Sequence, residues 1–328
     1  MMHRSSVAEL SKPQIGLRSA EKNVCLVLRY CRVARLCHDP LQLAVEPCNF
    51  ESHMEYLQDS CNVISLEDIG RHLEQRKPFP PRTVAVTFDC GYQDTLHVAK
   101  KVLQRLRLRA TVFAATTNMV LRGKFWWDEL EDLIIPERTR SELEIEIDGG
   151  PYFWPLDTAR NRFAAFEEIY SLLAGRSSRE QQQLLQIIRQ GAGRVIGEYD
   201  CHSTLTAQDL HLLEHGGTMD VGGHSFNSLD ACLSAPWELD DGISRNKLTL
   251  EEILGHAVTY ISHTFGGNDT HHAVGFDIIR GLGYNLGFGD SYGGINPKHT
   301  TDFYDLPRVK VRNWQPFAFH QFLNRFFK

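Results

Sequence analysis

The chain has 328 residues, 42% of them hydrophobic and 23% charged, with a formal net charge of −6. That length and balance suit an ordinary soluble α/β protein, one large domain or two modest ones. The negative charge argues against a general binder of nucleic acid or acidic membranes, and no apolar run approaches the ~18 residues of a membrane span.

Residues 1–22 are polar and aperiodic, the pattern of a disordered lead-in, and contain no apolar core of signal-peptide length. Of the eight cysteines, Cys25, Cys31, Cys37, Cys48 and Cys61 crowd the first fifth of the chain with no C-x-x-C pairing. With no export signal, this predicts reduced thiols and a cytoplasmic location.

From there the pattern alternates. V-C-L-V-L-R-Y-C-R-V-A (24–34) is an apolar run of strand length. N-F-E-S-H-M-E-Y-L (49–57) has helical spacing, with Phe50, Met54 and Leu57 on one face. N-V-I-S-L (62–66) reads as a strand and E-D-I-G-R-H-L-E (67–74) as a helix. The Pro-rich K-P-F-P-P-R (77–82) leads into V-A-V-T-F (84–88), a helix follows over 95–106, and R-A-T-V-F-A-A-T (109–116) is another strand.

Residues 122–200 break the rhythm. They hold the aromatic K-F-W-W-D-E-L (124–130), a strand pair around 142–156 and helices near 162–191, and read as an insertion or lid. Alternation resumes with segments 218–225, 247–255, 258–267 and 276–284. The chain closes with L-P-R-V-K-V-R-N-W (306–314) and an amphipathic tail. Repeated strand–helix units predict a mainly parallel sheet, open or closed into a barrel.

In such folds reactive groups gather at the carboxyl ends of strands. Three places fit: Asp89-Cys90, His224 to Ser228, and His263 to Gly267. Each ends an apolar run and opens a loop of turn-forming residues, so each alone reads more readily as a plain turn than as a reactive site.

Together they carry a resemblance. T-F-D-C-G-Y-Q-D (87–94) resembles the T-F-D-D-G-Y-x-D motif of polysaccharide deacetylases, the carbohydrate esterase group that includes chitooligosaccharide deacetylases. V-G-G-H-S-F-N-S-L (221–229) is similar to that family's G-x-H-[ST]-x-x-H-P segment, and Y-I-S-H-T-F-G-G (260–267) to its F-x-Y-P-[FY]-G segment. L-R-Y-C-R-V-A (28–34) is similar to the Y-H-x-V strand of one branch. F-W-W-D-E-L, L-E-E-I-L-G-H-A-V and L-P-R-V-K-V-R-N-W match the same branch, and order and spacing hold from about residue 24 to 327.

The resemblance implies a single distorted (β/α) barrel over 23–328 with a helical and β-hairpin insertion at about 122–200. It implies removal of N- or O-acetyl groups from a glycan or glycoconjugate by one divalent metal, which polarises the acetyl carbonyl and acidifies a bound water. Asp89 matches the family's general base and His224 its first metal-binding histidine. Phe265 stands where a backbone N–H donates to the oxyanion. Cys90 replaces the carboxylate ligand, Ser228 the second histidine, Thr264 the oxyanion-loop proline and Cys31 an early histidine.

Three readings follow. Cys90 and His224, with Cys31 if it faces the same rim, form a softer zinc site of Cys₂His type. Alternatively, Cys90 is a thiolate nucleophile activated by His224. In the third, the scaffold has lost its metal and is a catalytically inactive glycan-binding or regulatory relative. Tyr92, Trp126 and Trp127 are candidate sugar contacts, although F-W-W serves equally as insertion core. His38 and the His271-His272 pair read as loop residues, His97 as a helix residue, and His202 as a cap of the following helix or a residue of the rim. The aromatic tail reads as a last helix on the barrel wall or a membrane anchor.

Overall fold

The computed structural model describes residues 23–121, 124–137, 139–193, 202–225, 236–263 and 271–328. They fall into two compact units, one within Lys124–Cys201 and the other within Ala20–Gly123 and His202–Lys328.

The larger unit is built on strands β1 (Cys25–Tyr30), β2 (Arg32–Val33), β3 (Ala44–Val45), β4 (Asn62–Val63), β5 (Thr83–Phe88) and β6 (Ala110–Ala114). The insertion supplies β7 (Glu142–Ile147) and β8 (Gly150–Pro155), after which come β9 (Met219–His224), β10 (Tyr260–Ser262), β11 (Leu286–Phe288) and β12 (Val309–Lys310). The main sheet runs β11-β10-β9-β6-β5-β1-β12, every pair parallel, with β4 beside β5. Residues 303–306 then hydrogen-bond to Gly287 and Gly289 around β11, just before the chain enters β12 beside β1. That seam curls the sheet into the distorted barrel that the motifs imply.

Alternation along the strands sorts the core into two clusters. Leu26, Leu28, Tyr30, Val84, Val86, Phe88 and Val112 pack with Phe50, Met54 and Leu103 of the surrounding helices. Cys25, Val27, Ala85 and Phe113 point the other way, to Leu286, Phe288 and Ile295. Because side-chain direction has period two, Arg29 and Cys31 share the second face with Val27, and Thr87 and Asp89 share it with Ala85. Thr87 is tolerated there because its hydroxyl donates to the Leu28 carbonyl at 2.9 Å.

Local chemistry sets the element ends. Pro47 at the first turn starts the helix Pro47–Ser60 two residues ahead of the sequence expectation. The expected strand 62–66 stops at Val63, because Ser65 caps the helix Leu66–Glu74 in a reciprocal box with Asp68. The helix after β5 opens with a π-helical turn, Thr95–Ala99, before Lys100–Leu106. His271 and His272, read as loop residues, instead open the helix His271–Gly281.

The helix Pro316–Phe326 buries Phe319 and Leu323. Phe319 stacks on His53 with centroids 3.9 Å apart, and Tyr56 on His320 at 3.8 Å, so the tail packs on the helix Pro47–Ser60. Among the described residues no helix is long and apolar enough to cross a membrane.

In the smaller unit the antiparallel pair β7–β8 alternates, with Leu143, Ile145 and Ile147 buried between exposed glutamates. Helices Trp126–Ile134, Ala159–Ala174 and Ser178–Gly191 pack around it, the last started by a Ser177–Glu180 capping box.

Candidate functional site

Strand β5 ends at Phe88, and the next three residues make a tight reversal. Gly91 N–H donates to the Asp89 carbonyl at 3.0 Å, with Cys90 between them at φ +79°. This is a γ-turn of the positive-φ kind, which is rare and strained. Gly91 follows at φ +84°, a conformation that favours glycine. A strained turn at a strand end aims residues 89 and 90 at the rim.

Asp89 is buried and held on both oxygens. Arg308 Nη1 donates to Oδ1 at 2.6 Å and Nη2 to Oδ2 at 3.1 Å, while Arg29 Nε lies 3.6 Å from Oδ2. Arg29 also pairs with Asp290, and Arg308 Nη2 lies 3.5 Å from it, so two guanidinium groups balance two carboxylates. Burial pushes the Asp89 pKa up, but Arg308, His224 and Arg29 outweigh it and hold the group down at about 2. Asp89 is therefore ionised at neutral pH.

Cys31, one residue past β1, meets Cys90 across the rim with their Sγ atoms 2.9 Å apart. Burial pushes the Cys90 thiol well above its ordinary value, and Cys31 adds to the effect, so Cys90 is protonated at neutral pH. That protonation weighs against a resting thiolate nucleophile.

His224 closes β9. Register brings it to the same end of the sheet: Phe88 pairs with Val112, and Val112 with Val221. One residue beyond Phe88 lies Asp89, and three beyond Val221 lies His224. The imidazole Nδ1 contacts Ser262 Oγ and donates to the Ser262 carbonyl at 3.3 Å. Asn246 fixes the backbone, accepting from His224 N–H at 3.1 Å and donating to the Ala114 carbonyl at 3.0 Å. Gly223 allows this approach, since a Cβ there would meet Asn246 Oδ1 at 2.8 Å and the Tyr284 hydroxyl at 2.6 Å. Burial lowers the His224 pKa although Asp89 pulls it upward, so the ring is neutral at pH 7.

Other expectations resolve differently. Tyr92 is fully buried with the Arg32 guanidinium 4.3 Å over its ring, which removes it from any open sugar-binding face. Arg32 also donates to Asp94 Oδ2 at 2.9 Å and contacts His202 Nδ1 at 2.8 Å. His202 is thus part of a buried polar cluster, and Thr206, boxed with Asp209, caps the helix Ala207–Glu214 instead. In the smaller unit Trp126 and Trp127 are half-buried, stacked on Tyr170 at 4.9 Å and Phe125 at 4.7 Å. Ser228, Thr264 and Phe265 lie outside the described residues.

A hydrolytic divalent metal needs a set of converging anionic or imidazole donors. Among the described residues no group of three or more His, Cys, Asp or Glu side chains is placed to hold an ion. At the matched ligand positions the described residues offer the His224 imidazole and the Cys90 thiol, which lies against a second thiol. These residues do not fit the family's metal.

Sequence reasoning missed Arg308, Arg29 and Asn246. Only Arg29 carried a signal, as the single charge in the otherwise apolar β1, where a buried cation needs an opposite charge.

No family-wide sequence profile matches the chain, and no curated protein matches it in sequence. Solved structures do match. The deacetylase PplD of Streptococcus pyogenes, solved with acetate, is 15% identical at a TM-score of 0.56, covering 92% of this chain and 98% of its own. IcaB of Ammonifex degensii is 15% identical at 0.57, covering 93% and 98%. The polysaccharide deacetylase BC0361 of Bacillus cereus is 15% identical at 0.56, covering 92% and 69%.

Proposed function

We propose that this chain, which has the polysaccharide deacetylase fold, is a diverged member of that family that binds a carbohydrate or glycoconjugate without deacetylating it. One observation carries the reading. The two positions where the family pattern has a carboxylate ligand and an early histidine here hold Cys90 and Cys31, whose sulfurs touch each other. A protonated thiol facing a thiol is a poor start for a hard, hydrolytic metal site. Asp89, matched to the general base, is held at about 2 by Arg308, His224 and Arg29, which makes it a weak proton acceptor.

A second reading, metal-dependent hydrolysis of N- or O-acetyl groups at a softer zinc site, draws on the survival of Asp89 and His224 at one end of the sheet. Two measurements on the purified full chain separate them: zinc content after incubation with zinc, and acetate release from an N-acetylated oligosaccharide. Binding is followed in parallel by calorimetry with acetylated and deacetylated oligomers. We expect saturable binding, no acetate release and less than one zinc per chain. Zinc-dependent acetate release that disappears in Asp89→Asn would replace this reading with the enzymatic one.

A further inference from the structure

The geometry points to Cys31 and Cys90 as an oxidisable dithiol that closes into a disulfide between the end of β1 and the turn after β5. Neither the deacetylase resemblance nor the glycan-binding reading requires such a bond, and its test stands apart from both.

Several features of the fold hold the pair together. β1 and β5 are paired in register over six residues, ending at Tyr30 opposite Phe88. The Asp89 N–H donates to the Tyr30 carbonyl at 2.9 Å, extending that pairing one step towards the two cysteines. The γ-turn at Cys90 then directs its side chain onto Cys31. The resulting Sγ–Sγ distance of 2.9 Å is within ~0.9 Å of the S–S bond length, a shift that side-chain rotation can supply. Each residue keeps 8% of its surface exposed, so a small oxidant has access while bulky thiols are hindered. Of the other described cysteines, Cys37 and Cys48 are exposed.

The oxidant is a peroxide. Cys31 gives up its proton to solvent as its sulfur attacks a peroxide oxygen; the O–O bond breaks, and the departing hydroxide takes up a proton, leaving a sulfenic acid and one water. The second sulfur attacks the sulfenic sulfur, forming the S–S bond, and the hydroxyl leaves with the remaining thiol proton as a second water. Two thiols lose two electrons and two protons, and the peroxide is reduced to two waters. A dithiol reductant reverses the bond by exchange. The bridge closes a loop from residue 31 to residue 90 and pins the turn that carries Asp89.

The test treats the full chain with hydrogen peroxide, alkylates under denaturing conditions, digests it and maps cross-linked peptides by mass spectrometry. The expected product joins the Cys31 and Cys90 peptides, weighs two hydrogens less than their sum, and is lost after dithiothreitol. It persists in Cys37→Ser/Cys48→Ser, which removes the two exposed thiols among the described residues, and is absent from Cys31→Ser. If Cys31→Ser fails to fold, the parent and the Cys37→Ser/Cys48→Ser variant still decide the matter. Alkylation of both Cys31 and Cys90 after peroxide, or their oxidation to sulfinic acids without a cross-link, overturns the proposal. So does a stoichiometric zinc that protects both thiols.

Discussion

Arg308 grips both carboxylate oxygens of Asp89 across a separation of 219 residues, at 2.6 and 3.1 Å, in a site where neither side chain meets much water. Removing one member of such a pair strands a buried charge. Arg308→Leu should therefore cost roughly 3–5 kcal/mol of folding stability, measured by denaturant unfolding. A loss below ~1 kcal/mol would mean that Arg29 alone satisfies Asp89.

The same pair gives an acid limb to stability. The unfolded Asp89 carboxyl has an ordinary pKa near 3.8, and the folded one about 2. The folded state binds its proton later, so the contribution is complete above pH ~4 and is lost as pH falls through ~2, amounting to roughly 2–3 kcal/mol. Asp89→Asn should flatten this limb in pH-dependent unfolding.

His53 shapes a second, milder limb. Burial lowers its pKa from 6.5 to about 4, with the Trp314 carbonyl pulling it back up and His320 pushing it down. Its Nε2 donates to that carbonyl at 2.8 Å and its Nδ1 lies 3.3 Å from the Tyr30 hydroxyl, contacts that suit the neutral ring. The unfolded chain takes up this proton first, so stability is full above ~6.5 and declines as pH falls towards 4, by about 3 kcal/mol. In His53→Gln the slope between pH 6.5 and 4 should shrink; an unchanged slope would assign it elsewhere.

Backbone strain at the turn can be read by comparing two variants at one position. Cys90→Ala and Cys90→Gly both remove the thiol, but only glycine is at ease at φ +79°. The glycine variant should be about 1 kcal/mol more stable by thermal or denaturant unfolding, since relief of ~1–2 kcal/mol exceeds the extra chain entropy of glycine. Equal stability would mean that the turn relaxes without a side chain at 90.

Asn246 ties two strands together through one amide. Asn246→Ala leaves the His224 N–H and the Ala114 carbonyl without that partner and should cost roughly 2–4 kcal/mol. Hydrogen exchange at the His224 amide should accelerate in the variant; an unchanged rate would show that another group has taken over.

Much of the scaffold was legible because it is written in local patterns. The apolar runs ending at Tyr30, Phe88, Ala114 and His224 are strands, and the glycine after Cys90 marks the turn. The β7–β8 hairpin announces itself by Glu–hydrophobic alternation. What stayed hidden depends on closure in three dimensions. Strand β11 is only three residues long, too short to show a period. Tyr92 sits in a motif that suggests ligand contact, yet Arg32, from β2, covers it. Nothing local to Asp89 names Arg308. The meeting of Cys31 with Cys90 required the β1–β5 register, since a one-residue slip would turn Cys31 to the opposite face.

The seam formed by residues 303–310 has a consequence for biosynthesis. A nascent chain exposes Asp89 long before Arg308 leaves the ribosome, so the carboxylate stays hydrated while β1 and β11 both present open sheet edges. The ring and the charge pair are thus completed by the same late segment. Until it arrives, the edges of β1 and β11 that it pairs have no partner strand within the chain.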